Sequence, residues 1–297
     1  MIYTVTFNPS IDLFLRTERL NFGEVNRSNG EQMFFGGKGL NVSVVLKNLG
    51  IRSKALGFIA GFTGDAIEKG FSEMGLETDF VKLPSGNSRI NVKVKADVET
   101  EINGQGPDID ENSLNTLFSK LDTLSDGDTL VLAGSVPSSL PSDIYEQILK
   151  RLSDKKLRTV VDASGKLLLN VLAYKPFLVK PNLDELGQMF GVSLSPEDAP
   201  VYAQKLREMG AQNVLVSMAG DGAVLVDENG GVHHCGICKG TVRNSVGAGD
   251  SMVAGFLAGV EKGYEYALKL GTACGGATAF SDGLAEKPLI DSLFGQL

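Results

Sequence analysis

Short apolar runs alternate with segments of helical periodicity through the second half of the chain. The apolar runs are four or five residues long and cover residues 129–133, 159–162, 177–180 and 213–217. The helical segments lie near residues 142–153, 197–209 and 248–262. Short, continuously apolar strands separated by helices are typical of a parallel sheet that is buried on both faces. The pattern therefore predicts an α/β protein with a doubly wound, mostly parallel sheet flanked by helices.

Glycines mark the ends of several predicted helices. Gly50, Gly75 and Gly210 each follow a helical segment and precede an apolar residue. A glycine just after a helix commonly adopts the left-handed conformation that stops the helix and turns the chain back. We expect these three residues to be left-handed C-caps.

Two stretches of the first half do not follow this pattern. Residues 12–35 and 88–105 alternate polar and apolar positions, as at Ile90, Val92 and Val94, and have little helical periodicity. Alternation of this kind predicts half-exposed antiparallel strands, so both stretches are expected to form a small separate sheet. The sheet could be a lid over a substrate, a dimer surface, or both. The α/β core would then comprise residues 1–11, 36–87 and 106–297.

Composition and charge restrict the classes of partner. The 297 residues include 42% hydrophobic and 22% charged residues, which is enough for one main domain with an appendage. The net charge of −8 and the absence of a long Lys/Arg cluster argue against nucleic acid or an anionic membrane as partner. A phosphorylated substrate would therefore need a local pocket of cations.

The chain shows no targeting or disulfide pattern. Its N-terminal residues lack a basic region followed by a long apolar run, which predicts a cytoplasmic protein outside the membrane. Three cysteines fit a reducing compartment. Cys235 and Cys238 follow His233 and His234, but no second cysteine pair completes a zinc or redox motif, so we interpret them as incidental thiols of a β-segment.

The segment 246–251 (Val-Gly-Ala-Gly-Asp-Ser), followed by the apolar run 252–257, carries the strongest chemical signal. A glycine turn that opens a helix presents backbone N–H groups and the positive end of the helix dipole to an anion. Asp250 stands beside that site, where a carboxylate could take a proton from an attacking hydroxyl. Dipole compensation at an ordinary helix start is the alternative explanation for this aspartate.

A second glycine turn precedes a helix near the N-terminus. Residues 36–41 (Gly-Gly-Lys-Gly-Leu-Asn) combine a flexible turn with Lys38, which could meet a phosphate, and Asn41, which could bond hydroxyls. The segment lacks the spacing of a P-loop, and no complete dinucleotide-binding glycine motif follows a strand. A P-loop NTPase and a Rossmann dehydrogenase are thereby disfavoured, while a plain tight turn remains the alternative.

Together, the two segments resemble the signature motifs of the ribokinase-like sugar kinases, the PfkB carbohydrate kinase family. Their order and their separation of about 200 residues extend the resemblance over essentially the whole chain. Residues 8–12 (Asn-Pro-Ser-Ile-Asp) and 133–137 (Ala-Gly-Ser-Val-Pro) are similar to the branch that phosphorylates hexose monophosphates. The resemblance implies a ribokinase-like α/β fold with a small β-sheet lid, and a homodimer formed through the lid sheets.

The implied activity is phosphorylation of a ketohexose monophosphate by ATP with Mg²⁺. Fructose 1-phosphate, giving fructose 1,6-bisphosphate, is the preferred substrate, and tagatose 6-phosphate is the alternative. An unphosphorylated sugar or a nucleoside comes third. A non-catalytic sugar-phosphate sensor and a purely structural or interaction protein are the alternatives from other classes. A sensor predicts a damaged catalytic turn, whereas residues 247–250 are complete.

The resemblance also implies roles for individual residues. Asp250 would be the general base, and the backbone N–H groups of Gly247, Ala248 and Gly249 would stabilise the transferred phosphoryl group. Its position at a helix start predicts a lowered pKa for Asp250. The residues expected to bind the phosphosugar are Asp12, Arg27, Gly37, Lys38, Asn41, Ser88, Arg89, Asn91 and Ser135. Among these, Arg27, Lys38 and Arg89 are the candidate cations for its phosphate.

The expected nucleotide site lies in the second half of the chain. Its residues are Lys180, Asn182, Ser217, Met218, Ala219, Gly220, Asp221, Gly222, Ala248 and Gly249. Asn182 and Glu185 would influence Mg²⁺ through water, although a helix capping box explains the same two residues without a metal. Residues 243–246 (Arg-Asn-Ser-Val) depart from the acidic residue and threonines that many members carry there, which puts a cation near the nucleotide site.

Overall fold

The computed structural model describes residues 1–297, which form two β-sheets and ten α-helices. The strands are β1 (Ile2–Thr6), β2 (Ser10–Arg16), β3 (Gly30–Gly36), β4 (Ser53–Ile59), β5 (Glu77–Lys82), β6 (Arg89–Lys95), β7 (Thr100–Asn103), β8 (Thr129–Ala133), β9 (Arg158–Asp162), β10 (Leu178–Val179), β11 (Asn213–Ser217), β12 (Ala223–Val226) and β13 (Val232–Cys235). The helices are α1 (Lys38–Asn48), α2 (Gly61–Glu73), α3 (Glu111–Leu121), α4 (Ile144–Arg151), α5 (Gly165–Val171), α6 (Leu183–Phe190), α7 (Ala199–Glu208), α8 (Ala248–Gly259), α9 (Tyr264–Ala279) and α10 (Lys287–Phe294).

The large sheet has nine strands in the order β13-β12-β11-β10-β9-β8-β1-β4-β5. All neighbours from β11 to β5 pair in parallel, and β12 and β13 add an antiparallel edge. Two apolar cores lie on the two faces of this sheet, which is why runs such as β8 are buried at every position. The predicted doubly wound, mostly parallel α/β fold is confirmed.

The strand order of the large sheet reverses at β1. Its neighbour on one side is β4 and its neighbour on the other side is β8. In open parallel sheets, the crevice at such a switch point lies beyond the carboxyl ends of the strands and is the usual ligand site. Helices α1, α6 and α8 all begin at this edge. The three glycines expected as left-handed caps have positive φ angles of 82° at Gly50, 74° at Gly75 and 137° at Gly210.

The small sheet has the order β3-β2-β6-β7 and begins at Ser10. Its outer pairs, β2 with β3 and β6 with β7, are antiparallel, but the central pair of β2 and β6 is parallel. Each predicted stretch therefore forms an antiparallel pair, as expected, while the two stretches join each other in parallel. The reason is that β2 follows β1 and β6 follows β5; β1 and β5 run in the same direction, so the chain leaves them in the same direction.

No helix in the structure is both long enough and apolar enough to cross a membrane.

Candidate active site

The turn before α8 requires glycine for two reasons. Gly247 has a φ of 80°, which L side chains rarely adopt, and a Cβ there would lie 2.7 Å from Leu284 Cδ2. Asp250 lies in the first turn of α8 and is only 5% exposed. The Ser251 hydroxyl donates to the Gly247 carbonyl at 2.8 Å, which ties the turn to the helix.

The two predicted motifs meet at Asp250. Asn41 lies on α1, which packs against α8, and its Nδ2 donates to Asp250 Oδ2 at 2.7 Å. Both side chains are buried, and 209 positions separate them in the sequence. This hydrogen bond fixes one carboxylate oxygen of Asp250 and leaves Oδ1 for another partner.

Asp162 binds two lysines at the floor of the same cleft. This aspartate ends β9 and is 1% exposed, and its Oδ1 lies 3.3 Å from Lys38 Nζ and 3.5 Å from Lys180 Nζ. Its Oδ2 is buried and has no hydrogen-bond partner. A Cβ at Gly249 would lie 3.0 Å from Lys180 Nζ, so the absence of a side chain there lets the ammonium approach the α8 turn.

The pKa of Asp250 is raised to about 7, first by burial and then by the negative charge of Asp162. Lys38, Asn41 and Lys180 act in the opposite direction but do not compensate. The expected lowering of this pKa is therefore wrong, because the helix dipole acts on a carboxylate that is removed from water and faces a second carboxylate.

The pKa of Asp162 shifts in the opposite direction to that of Asp250. Burial alone would raise its pKa, but the charges of Lys180 and Lys38 outweigh burial and hold it below the ordinary value. Burial likewise disfavours the Lys38 ammonium, yet Asp162 and Asp250 raise its pKa overall. Two neighbouring carboxyl groups with pKa values pushed apart are typical of an acid–base site.

The small sheet forms the facing wall. Asp12 Oδ1 accepts hydrogen bonds from Ser10 Oγ and from Asn91 Nδ2, both at 2.8 Å. A Cβ at Gly36 would lie 2.7 Å from Asp12 Oδ2, so only glycine leaves room for this carboxylate. Arg89 donates from Nε to the Asn8 carbonyl at 3.0 Å, and burial lowers the pKa of its guanidinium.

These elements enclose a cleft of about 360 Å³ with a strongly polar lining. The predicted site residues that line it are Asp12, Gly37, Lys38, Asn41, Arg89, Asn91, Lys180, Asn182, Glu185, Ser217, Gly247, Gly249 and Asp250. Phosphosugar and nucleotide residues predicted from distant segments thus share one cavity. Catalysis by these residues stays a prediction.

Three predicted phosphosugar residues do not line the cleft of the single chain. Ser88 is 2% exposed, and its Oγ accepts the Ala60 N–H at 3.0 Å, so this hydroxyl holds the start of α2 instead of facing a ligand. Ser135 is exposed in the loop after β8, and Arg27 is exposed in the loop between β2 and β3. These three residues therefore do not join the other predicted phosphosugar residues in the cleft of the single chain, and binding of the phosphosugar by them stays a prediction.

The turn after β11 reaches the cleft only through Ser217. Met218 is 9% exposed, and residues 219–221 form one exposed helical turn beside the cleft, with Ala219 at a φ of 49°. A Cβ at Gly222 would lie 2.2 Å from the Cys235 carbonyl oxygen, so contact with β13 explains that glycine without a nucleotide. Ala248 is half-buried in the α8 turn and does not line the cleft.

Asn182 and Glu185 form a complete capping box at the start of α6. Asn182 Oδ1 accepts the Glu185 N–H at 2.8 Å, and Glu185 Oε2 accepts the Asn182 N–H at 2.9 Å. The capping interpretation is confirmed. It leaves Glu185 Oε1 free to interact with a ligand in the cleft.

Four lining residues were not among the predicted site residues: Ser10, Lys93, Asp162 and Val246. Asp162 had a usable signal, because it directly follows a buried apolar strand and such residues gather at the carboxyl edge of a parallel sheet. Lys93 had none, because a lysine in an alternating strand is indistinguishable from a solvated one.

Comparison with known proteins identifies relatives over the full chain. The profile described as pfkB family carbohydrate kinase matches residues 5–290. The chain is 49% identical over 296 residues to the 1-phosphofructokinase of Bacillus subtilis, covering 99% of this chain and 97% of that protein. It is 37% identical over 301 residues to the D-tagatose-1-phosphate kinase of Bacillus licheniformis, covering 100% of this chain and 98% of that protein.

Solved structures of one protein superpose on the whole fold. Phosphofructokinase-2 of Escherichia coli in complex with substrates and products gives a TM-score of 0.94 at 25% identity, covering 100% of this chain and 99% of that chain. A tetrameric inhibited form of the same protein gives a TM-score of 0.90 at 26% identity, covering 99% of this chain and 98% of that chain.

Proposed function

Because the chain belongs to the pfkB family of carbohydrate kinases, we propose that it transfers a phosphoryl group from ATP to fructose 1-phosphate. The product is fructose 1,6-bisphosphate. The observation that carries the proposal is the buried Asp250 at the start of α8, with a pKa of about 7, facing a wall of sugar-binding groups around Asp12.

Asp250 acts as the general base. Its Oδ1 takes the proton of the C6 hydroxyl as that oxygen attacks the transferred phosphoryl group. A pKa near 7 suits this role, because the carboxylate is largely ionised just above neutral pH and is a stronger base than an ordinary aspartate. Asn41 holds the other carboxylate oxygen, and Asp12 with Asn91 binds sugar hydroxyls from the facing wall.

The charge that grows on the phosphoryl group is stabilised from the floor of the cleft. The donors that face it are the N–H groups of Gly247 and Gly249 and the Lys180 ammonium next to Gly249, whereas the Ala248 N–H donates to the Ser245 carbonyl. The triphosphate of ATP extends from there past Asn182 to Ser217 and the turn 218–222. A cytoplasmic location is part of the proposal, because the reaction consumes ATP.

The residues present fit a Mg²⁺ ion. Asp162 Oδ2 is a buried carboxylate oxygen without a partner, and Glu185 Oε1 is free of the capping box. Mg²⁺ prefers oxygen ligands, takes few of them from protein and keeps several waters. We therefore propose that Asp162 and Glu185, the latter through water, would hold Mg²⁺, which when bound would neutralise phosphate charge.

The names of two relatives favour C1 as the position of the phosphate on the substrate. Both 1-phosphofructokinase and D-tagatose-1-phosphate kinase act by name on a ketohexose with phosphate on C1. Fructose and tagatose differ only in the configuration at C4, so one phosphate subsite could serve both. Tagatose 6-phosphate remains the second candidate, and its acceptor would be C1.

The proposal is tested by release of ADP from ATP and Mg²⁺ with a panel of acceptors. Fructose 1-phosphate is expected to give the highest kcat/KM, followed by tagatose 1-phosphate, with fructose 6-phosphate, tagatose 6-phosphate, fructose, ribose and adenosine well below. Activity confined to ribose or adenosine would refute the phosphosugar proposal. A melting temperature that responds to fructose 1-phosphate without any turnover would instead favour a sensor.

We further propose that the protein forms a homodimer through its small sheets. A row of apolar side chains crosses all four strands of the small sheet on the face opposite Asp12. It consists of Met33, Leu13, Val92 and Ile102. Met33 is 61% exposed and Ile102 65% exposed, so this row leaves a large apolar area in water. A second copy of the same sheet would cover it.

A charge on this face is expected to prevent dimerisation. Burying an unpaired aspartate carboxylate costs more than the roughly 2–7 kcal/mol of an unpaired neutral polar group, so I102D should be monomeric while the wild type sediments as a dimer at micromolar concentration. The matched control is V201D, an exposed apolar position on α7 far from the small sheet, which should remain dimeric. A monomeric wild type would contradict the proposal.

A further inference from the structure

The small-sheet wall of the cleft contains a cation that the preceding account does not use. Lys93 lies on β6 four residues beyond Arg89, with Asn91 between them. Side chains alternate along a strand, so these three residues share the face that lines the cleft. The wall therefore has polar groups for sugar hydroxyls at its centre and a cation on each side.

The Lys93 ammonium is withdrawn from bulk water. Its side chain is 7% exposed, and Nζ lies 2.9 Å from Glu101 Oε1 on β7, directly across the strand pair. The ring of Phe14 lies 5.6 Å from Nζ on the β2 side. A buried ammonium is stable only when it is paired, and Glu101 supplies that pairing. Glu101 itself is 39% exposed and can turn toward solvent.

The other lysines of the cleft are engaged elsewhere. Lys38 and Lys180 both contact Asp162 on the floor, next to Asp250 and the site of phosphoryl transfer. Arg89 donates to a backbone carbonyl and forms no ion pair. An anion bound against the small sheet would therefore contact Arg89 and Lys93. Of these two cations, only Lys93 is paired with a carboxylate, that of Glu101, and this carboxylate would have to move away before the anion binds.

We propose that Lys93 binds the phosphate already present on the sugar, and that Glu101 is the counterion which this phosphate displaces. The exchange of one anion for another keeps the ammonium paired in the free and the bound enzyme. Lys93 is then a specificity-determining residue that selects a phosphorylated over an unphosphorylated ketohexose. The inference rests on the proposed function, because it assigns one end of the substrate of that reaction.

The first test is K93Q, assayed with fructose 1-phosphate and with unphosphorylated fructose. Loss of a hydrogen bond to a charged group predicts a KM for fructose 1-phosphate that is raised about 10- to 100-fold, with kcat within about threefold. Catalytic efficiency with fructose should not fall. The matched control is K95Q, which removes a lysine of the same strand and face that pairs with Glu99 and lies outside the cleft lining. K95Q should keep the wild-type KM.

The second test separates substrate binding from a structural ion pair. E101Q removes the displaced counterion, so the KM for fructose 1-phosphate should fall by about two- to fivefold. The double variant K93Q/E101Q leaves no unpaired charge to impair folding and should keep the raised KM of K93Q. A wild-type KM in K93Q or in the double variant, or a raised KM in E101Q, would overturn the inference. A wild type inactive on fructose 1-phosphate would instead refute the proposed function.

Discussion

Replacing Asp250 with asparagine is expected to lower kcat by about 10²- to 10⁴-fold, because a general base contributes a factor of that size. The substitution preserves the geometry, since the amide oxygen can still accept the 2.7 Å hydrogen bond from Asn41. Binding of fructose 1-phosphate should survive, as measured by calorimetry without ATP. Steady-state kinetics give kcat and KM separately, so a loss confined to kcat identifies the chemical step.

The stability of D250N distinguishes catalytic loss from misfolding. Because the pKa of Asp250 is raised in the folded state, folding is opposed by its ionised form, and the destabilisation develops as pH rises toward and through about 7. The uncharged amide removes this penalty. The melting temperature of D250N at pH 8 should therefore equal or exceed that of the wild type.

A matched variant tests whether replacing any aspartate at a helix start would lower kcat as D250N is expected to. Asp184 lies in the first turn of α6, which begins at the same edge of the large sheet, but it is exposed and outside the cleft lining. D184N is expected to keep kcat within about twofold, since loss of a helix-dipole interaction affects stability by roughly 0.3–1 kcal/mol and not the reaction. Equal turnover in D250N and the wild type would remove Asp250 from the mechanism.

The catalytic efficiency is expected to fall tenfold per pH unit below about 7, reaching about 100-fold at pH 5. The base must be ionised to accept a proton, and the pKa of Asp250 is raised to about 7 by burial and by the charge of Asp162. The measurement is kcat/KM for fructose 1-phosphate between pH 5 and 9. A decline of kcat/KM that begins only below pH 5 would contradict the raised pKa of Asp250 and would support the low pKa expected from the helix dipole alone.

The sugar phosphate itself titrates near pH 6, so a variant is needed to assign the acid limb. D162N removes the like charge beside Asp250 and frees Lys38 and Lys180 to act on it, and both effects favour the ionised carboxylate. The midpoint of the acid limb should move to lower pH in D162N, even if the plateau falls. Titration of the substrate would give the same midpoint in both proteins.

Local patterns in the sequence were sufficient for the fold class. The buried strands were recognisable because a parallel sheet covered on both faces needs unbroken apolar runs, as in β8 and β11. The caps at Gly50, Gly75 and Gly210 were recognisable because a left-handed residue is required there. The parallel pairing of β2 with β6 was not, because it depends on the directions of β1 and β5, which are far apart in the sequence.

The candidate site divides in the same way. Glycine turns open α1 and α8, and the first turns of these helices carry Lys38, Asn41 and Asp250. The chain around each of these residues therefore indicates a site for an anion or a hydroxyl group. Ser88 has no such context, and burial against the start of α2 gives its hydroxyl a structural partner. Lys93 lines the cleft only because the small sheet turns its polar face toward Asp250.

By itself, the sequence determined the α/β architecture, the family and the proposed base, because short local motifs carry each of them. Tertiary structure alone decided the properties that depend on long-range neighbours. It joined Asn41 to Asp250 and placed Asp162 between two lysines. By burying Asp250 close to the negative charge of Asp162, it raised the pKa that a helix start would have lowered. Electrostatic energies depend on distance and exposure in space, and separation along the chain determines neither of these.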